Sequence, residues 1–231
     1  MSAQVTMEEA VRLYNMKRWD SAMTAFLEID TSSYKEDEKT ELAYYLGLCY
    51  TKLERFNDAL LYLEQVVTSN AEPLRVCQCR LTLAYIYMIT RRPKMADFEL
   101  ERLIKSGFQS VQIYTMMAFC AWTQNDEDKA IEAYEKALEI DSLNLTAMNG
   151  LGFILVESGK DVQRGLELCK RAVNKKPQNA AYLDSLGWAY YKTGEMNEAR
   201  QWLRRALDLA PKQKEISRHM KAVVGSDAQA S

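Results

Sequence analysis

Apolar and polar positions along the chain recur at helical spacing, and above that period runs a second one of about 34 residues. The clearest copy is Ala180 to Pro211, in which Leu186-Gly187 is followed by Tyr190, Ala199, Leu203, Ala206 and Pro211. Sliding this template backwards finds five more copies, so that the six begin near residues 3, 40, 77, 111, 145 and 180, spaced by 37, 37, 34, 34 and 35. At the eighth position stand Ala10, Gly47, Ala84, Ala118, Gly152 and Gly187, and at the twentieth Ala22, Ala59, Ala96, Ala130, Gly165 and Ala199. All are alanine or glycine, which is what two helices require where they cross at about 8 to 10 Å. Larger fillers surround them: Leu46, Leu83, Met117, Leu151 and Leu186 at one position, and Phe26, Leu63, Leu100, Tyr134, Cys169 and Leu203 at another. Each hairpin alone buries half of its apolar surface, so neighbours must stack to complete a core.

The L-G-x-x-Y, A-x-x-x-F and proline elements at this spacing resemble the tetratricopeptide repeat (TPR) consensus over roughly residues 3 to 213. The match is strong in the last two copies, which look similar to bacterial members, and weakens toward the front. Glu9 stands where the family has leucine; the closing proline is in register only at Pro177 and Pro211, with Ala71, Phe108 and Ser142 in its place elsewhere and Pro73 two residues late. The resemblance implies an all-α, right-handed α-solenoid of about six helix-turn-helix hairpins plus a C-terminal capping helix, in a single domain over 3–224. The cap is expected over about 213–224, where Ile216, Met220, Val223 and Val224 fall at helical spacing, and 225–231 as a disordered tail. Asp30 to Lys39 is polar and rich in turn formers, and reads as a longer loop between the first two hairpins; a shorter extension lies near Asn70 to Pro73.

Composition narrows the function classes. With 48% apolar and 27% charged residues the chain is globular, and four prolines and nine glycines leave long stretches free of helix breakers. Net charge is −2, so no whole-molecule field draws it onto nucleic acid or an anionic membrane. The distribution is uneven: from Lys160 to Lys221 there are 14 basic against seven acidic residues, leaving about −9 for the remainder. Arg200, Arg204, Arg205 and their neighbours read as a solvated helix face, or as a surface for an acidic partner. The odd set of Cys49, Cys77, Cys79, Cys120 and Cys169 lies within apolar-periodic stretches, reading as small buried thiols. No apolar run approaches the roughly 18 residues that a membrane span needs, and the N-terminus lacks a signal-like pattern. The expected location is cytoplasmic, with periplasmic as the alternative if an export signal has been removed.

No motif for catalysis is found. Phosphate-binding glycine loops and the G-x-S-x-G nucleophile pattern are absent. Carboxylates such as Glu132, Glu135 and Glu139 sit on outer faces of second helices, where they are solvated. The single histidine, His219, lies beside Arg218 and Lys221 and is expected at the surface without metal-binding companions. The chain is therefore read as no enzyme, with no cofactor, metal or catalytic residue.

In the TPR family the first helix of each hairpin lines the concave face, with positions 5, 9 and 12 among those pointing into the groove. Carried onto this sequence, the resemblance implies Tyr44, Leu81, Asn149 and Asp184 at position 5. It places Leu48, Tyr85, Phe119, Phe153 and Trp188 at position 9, and Met88, Trp122 and Tyr191 at position 12. Some family members grip a C-terminal carboxylate with charged side chains here; Tyr44, Leu48, Leu81 and Tyr85 leave no such clamp. Two readings of the rings stand open: an apolar groove that takes an amphipathic helix or extended peptide, or packing between adjacent first helices. The expected function is a non-catalytic adaptor or scaffold that binds a protein or peptide partner, with neither nucleic acid binding nor membrane insertion. The alternatives are a self-associating homo-oligomer and an accessory domain of a larger complex.

Overall fold

A computed structural model of the chain describes residues 6–227. Among them are thirteen α-helices and no strand. They form six hairpins: α1 (Met7–Asn15) with α2 (Trp19–Leu27), α3 (Glu36–Lys52) with α4 (Phe56–Thr68), α5 (Pro73–Ile89) with α6 (Pro93–Lys105), α7 (Val111–Thr123) with α8 (Glu127–Ile140), α9 (Leu145–Glu157) with α10 (Val162–Lys175), and α11 (Ala180–Lys192) with α12 (Met196–Leu209). The last helix is α13 (Lys214–Asp227). It runs past the expected boundary at 224, and of the expected tail residues 228–231 lie outside the described set, as does Ala3 at the start of the first copy.

Local chemistry starts and stops these helices where the repeat needs it. Side chains of Thr6, Ser110, Asp126, Asn144, Asp161 and Asn179 accept hydrogen bonds from otherwise unpaired N–H groups of the first turn. Pro73 and Pro93 open α5 and α6, where a missing N–H costs nothing. Within every hairpin the turn places its fifteenth residue in the left-handed region: Lys17, Glu54, Arg91, Asn125, Gly159 and Gly194, with φ from 58° to 86°. The following N–H then reaches back to the closing turn of the first helix, as from Arg55 to the Tyr50 carbonyl and from Glu195 to that of Tyr190. Only the last two copies use glycine there; the side chains of the other four bear a steric cost of about 1 kcal/mol each.

The crossings are as close as the small residues suggest. All twelve are buried. A Cβ built on Gly187 would lie 2.7 Å from the Leu203 side chain, and one on Gly47 the same distance from Leu63. In the fifth hairpin both partners are glycine, and backbone meets backbone: a Cβ on Gly152 would stand 2.8 Å from the Gly165 carbonyl oxygen, and one on Gly165 2.7 Å from that of Gly152. Phe26, Leu63, Leu100 and Leu203 lie fully buried next to these contacts. Such a side chain contributes roughly 1.5 to 3 kcal/mol on burial.

Two expectations about loops are corrected. Helices α3 and α5 have 17 residues, against 13 in α7, α9 and α11, so the extra length of the early repeats is taken up as an added helical turn. Residues 36–39, expected in a loop, are the first turn of α3. Glu36, Asp37 and Glu38 favour the partially positive helix start, and the Lys35 N–H donates to Glu38 Oε2 at 2.8 Å. Pro73 begins a helix and does not close the preceding repeat.

The chain divides into two compact units, residues 1–109 and 110–231. In the first, α3 and α5 each pack on both helices of the hairpin before; in the second, α9, α11 and α13 do the same. Helix α13 thus occupies the place of a first helix in a seventh repeat. Its Ile216, Met220 and Val223 fall at the third, seventh and tenth positions, equivalent to Tyr182, Leu186 and Ala189 of α11, and Ile216 and Val223 are buried. At the eighth position, small in all six hairpins, it carries the exposed Lys221.

Two stability predictions follow from the crossings and turns. Gly152→Ala gains helix propensity of about 1 kcal/mol but drives a methyl into backbone, so a net loss of about 1–2 kcal/mol is expected, read as a fall of roughly 2–6 °C in melting temperature. Gly47→Ala, which meets chiefly a leucine side chain, should lose less. Glu54→Gly and Arg91→Gly should each raise stability by about 0.5 kcal/mol, detectable as a higher urea midpoint.

Candidate functional site

The first helices of each unit present one shared face, and the residues singled out by repeat position fall into two sets. In the first unit, Leu48 is buried in the core, whereas Tyr44, Leu81 and Met88 are half-buried and Tyr85 is 48% exposed. Tyr44 donates its hydroxyl hydrogen to Gln78 Oε1 at 2.6 Å, and burial pushes its phenol up to about 12. Arg75 lies over its ring at 5.5 Å. With Ile89 also exposed, this unit offers an apolar strip along α5.

The second unit brings the rings together. Phe119 on α7 is 45% exposed, and Trp122, one turn on, meets Phe153 of α9 edge-on at 6.0 Å between centroids. On α11, Trp188 lies 4.9 Å from Tyr191, and its indole N–H donates to Glu157 Oε2 at 2.5 Å. Lys192 approaches the Glu157 carboxylate at 3.3 Å and stands 5.3 Å above the Trp188 ring. Asn149 Nδ2 donates to Ser185 Oγ at 3.0 Å, while its Oδ1 is buried without a partner.

Asp184 is not a groove side chain open to solvent. It is 7% exposed, and the reason is His219, which the sequence placed at the surface and which is 1% exposed. His219 Nδ1 lies 2.9 and 3.0 Å from the two Asp184 carboxylate oxygens, so Nδ1 carries the proton and donates it. The imidazole stacks on Trp188 at 4.2 Å and lies 6.2 Å from the Phe153 ring. The cause is register. A sixth-position side chain faces the fifth position of the preceding first helix, so His219 meets Asp184 as Ser185 meets Asn149. Extending the 34-residue spacing by one more copy would have found this pair in the sequence; treating the segment after Pro211 as a generic cap concealed it.

On this face of the second unit the charged side chains at the fifth, ninth, twelfth and thirteenth positions of α7, α9 and α11 are engaged: Glu157 pairs with Lys192 and Asp184 accepts from His219, while Arg218 and Glu215 of α13 pair at 3.1 Å. What remains uncommitted is aromatic and aliphatic. Elsewhere, all five cysteines are buried, and burial pushes Cys49, Cys79 and Cys169 up to about 12, which suppresses the reactive thiolate. Among the described residues no group of three or more His, Cys, Asp or Glu side chains is placed to hold a metal ion, and no helix is long and apolar enough to cross a membrane.

Stacked helical hairpins with small residues at each crossing define a helical repeat protein, and family comparison specifies which. Tetratricopeptide repeat models match residues 41–72, 111–142 and 143–212, together more than half of the chain, which belongs to the tetratricopeptide repeat family. Among curated proteins, protein O-mannosyl-transferase TMTC1 of Homo sapiens is 23% identical over 186 residues, covering 79% of this chain and 21% of that protein. TPR repeat-containing protein PA4667 of Pseudomonas aeruginosa is 34% identical over 77 residues, 33% of this chain and 13% of that one. The chain therefore spans about a fifth or less of the length of these relatives. Among solved structures, MamA protein superposes with a TM-score of 0.62 at 20% identity, covering 76% of this chain and 93% of that one. YrrB, described as a TPR protein with an unusual peptide-binding site, gives 0.63 at 14% identity, covering 83% and 97%. These likenesses establish the fold.

His219→Ala should leave the Asp184 carboxylate buried without a partner and remove a ring from the stack. A loss of about 2–4 kcal/mol is expected. Urea denaturation followed by circular dichroism and tryptophan fluorescence would measure it; a loss below about 0.5 kcal/mol would mean that the pair contributes little to holding α13.

Proposed function

We propose that the protein is a non-catalytic interaction module that holds a helix or extended segment of a partner protein on the first-helix face of the second unit. The observation that carries this reading is the half-exposed Phe119, one turn before Trp122, in the unit whose first helices also carry Phe153, Trp188 and Tyr191. A partner's carboxylate or ammonium group would compete there with the Lys192–Glu157 ion pair. The partner gains by burying apolar side chains against rings that lose little rotamer freedom.

His219 stacks on one face of Trp188 and lies near Phe153, so the surface left for a partner centres on Phe119, Trp122 and Tyr191. Leu81, Tyr85 and Met88 form the corresponding strip of the first unit. Burying three or four such anchors at roughly 25 cal/mol per Å² supports about micromolar binding after the costs of association. Binding of this kind should be nearly indifferent to salt, unlike that of a charged clamp. The buried thiols of Cys49, Cys77, Cys79 and Cys169 agree with a reducing, cytoplasmic setting.

The test is the Phe119→Ser/Trp122→Ser variant beside the native chain, with helicity measured by circular dichroism and captured partners quantified from cell extract by mass spectrometry. Retained helicity with at least about a tenfold loss of the principal captured protein is expected. Unchanged capture would refute the reading; so would collapse of the fold, since the rings would then be core and not anchors.

A further inference from the structure

Of the basic excess between Lys160 and Lys221 the aromatic face uses Lys192 and Arg218. Part of it surrounds a different feature of the second unit, a cavity of about 480 Å³ lined by Leu143, Leu145, Met148, Arg171, Asn174 and Lys175. Its floor is aliphatic: Met148 is buried at the start of α9, and Leu143, in the turn before that helix, is 68% exposed. Ile140, at the adjoining end of α8, is exposed as well. On the rim stand Arg171 and Lys175, four apart and so on one side of α10. Among the described residues neither forms an ion pair, whereas Arg164 near the other end of that helix is paired with Glu135 at 2.8 Å.

The same rim carries the C-terminal turn of α10. Pro177 has no N–H, so the Val173 carbonyl lacks its usual helical donor, and the helix end presents oxygen acceptors of partial negative charge. A peptide suits them, because its backbone supplies N–H donors. Among the described residues of the lining none is aromatic, so a nucleobase would find no ring there to stack on.

We propose that this cavity is a second binding site, separate from the aromatic face, for an acidic peptide segment in which an aliphatic side chain stands next to carboxylates. The aliphatic side chain enters between Leu143, Leu145 and Met148, and the carboxylates pair with Arg171 and Lys175. The volume accommodates two or three side chains, within the usual range for ligand pockets of about 300–1,000 Å³.

The probe is the tetrapeptide acetyl-Glu-Leu-Leu-Glu-amide, added to the full chain labelled at its methionine methyls, with the Met148 signal assigned through Met148→Leu. Saturable movement of that signal is expected, at least about fivefold weaker with the Gln-Leu-Leu-Gln peptide. Raising salt from about 50 to 300 mM should weaken it about threefold. Arg171→Ala/Lys175→Ala, at exposed positions that leave the helices intact, should abolish the response, and Phe119→Ser should preserve it. A stationary Met148 signal, equal affinity for the two peptides, the same shift from inorganic phosphate alone, or loss of the response in Phe119→Ser would each overturn the proposal.

Discussion

Two helices joined by a short turn can share a core only if their axes come close, and the closeness is decided at the crossing by what projects from each backbone. In the fifth hairpin nothing projects: Gly152 and Gly165 bring carbonyl oxygens to within a methyl's reach of the opposing chain. The other five use alanine on at least one side. From this one restriction follow the burial of the surrounding leucines, the stacking of hairpin on hairpin, and the alignment of all first helices of a unit along one face. The functional surface is a consequence of packing and not a separate construction.

Against that framework the polar groups of the second unit form a ladder. Asn149 with Ser185, Asp184 with His219, and Trp188 with Glu157 each tie one first helix to the next. Buried polar groups must be paired or they cost free energy, so such links also specify which rung meets which. They remove charge from the face and leave the rings as what a partner can meet. Two cations without an ion pair among the described residues, Arg171 and Lys175, lie elsewhere, on α10 beside an aliphatic hollow.

The fold was legible in the sequence because small residues at two positions of six copies have one common explanation. The faces of the first helices were legible too, in that Phe119, Trp122, Phe153, Trp188 and Tyr191 gather in one unit as repeat position implies. What escaped has physical reasons. The turn at Lys17, Glu54, Arg91 and Asn125 adopts a glycine-like conformation without glycine, because backbone hydrogen bonds on both sides hold it. Early repeats hide three extra residues in a longer helix, since acidic side chains cap Glu36–Lys52 one turn ahead of the template. His219 looked like a solvated lone imidazole because its partner lies 35 residues away, and only the register connects them.

Lys221 invites one more thought. Helix α13 has the side chains to be the opening half of another hairpin, yet where every such half carries a methyl or less it bears a long charged stem. That lysine sets this side of α13 apart by volume: where the six hairpins admit a close second helix, it carries a long charged stem in water. Growth or shortening of such an array in evolution then needs little invention. Exchanging one bulky charged residue for a small one turns a cap into a junction, and the reverse exchange turns a junction into an end.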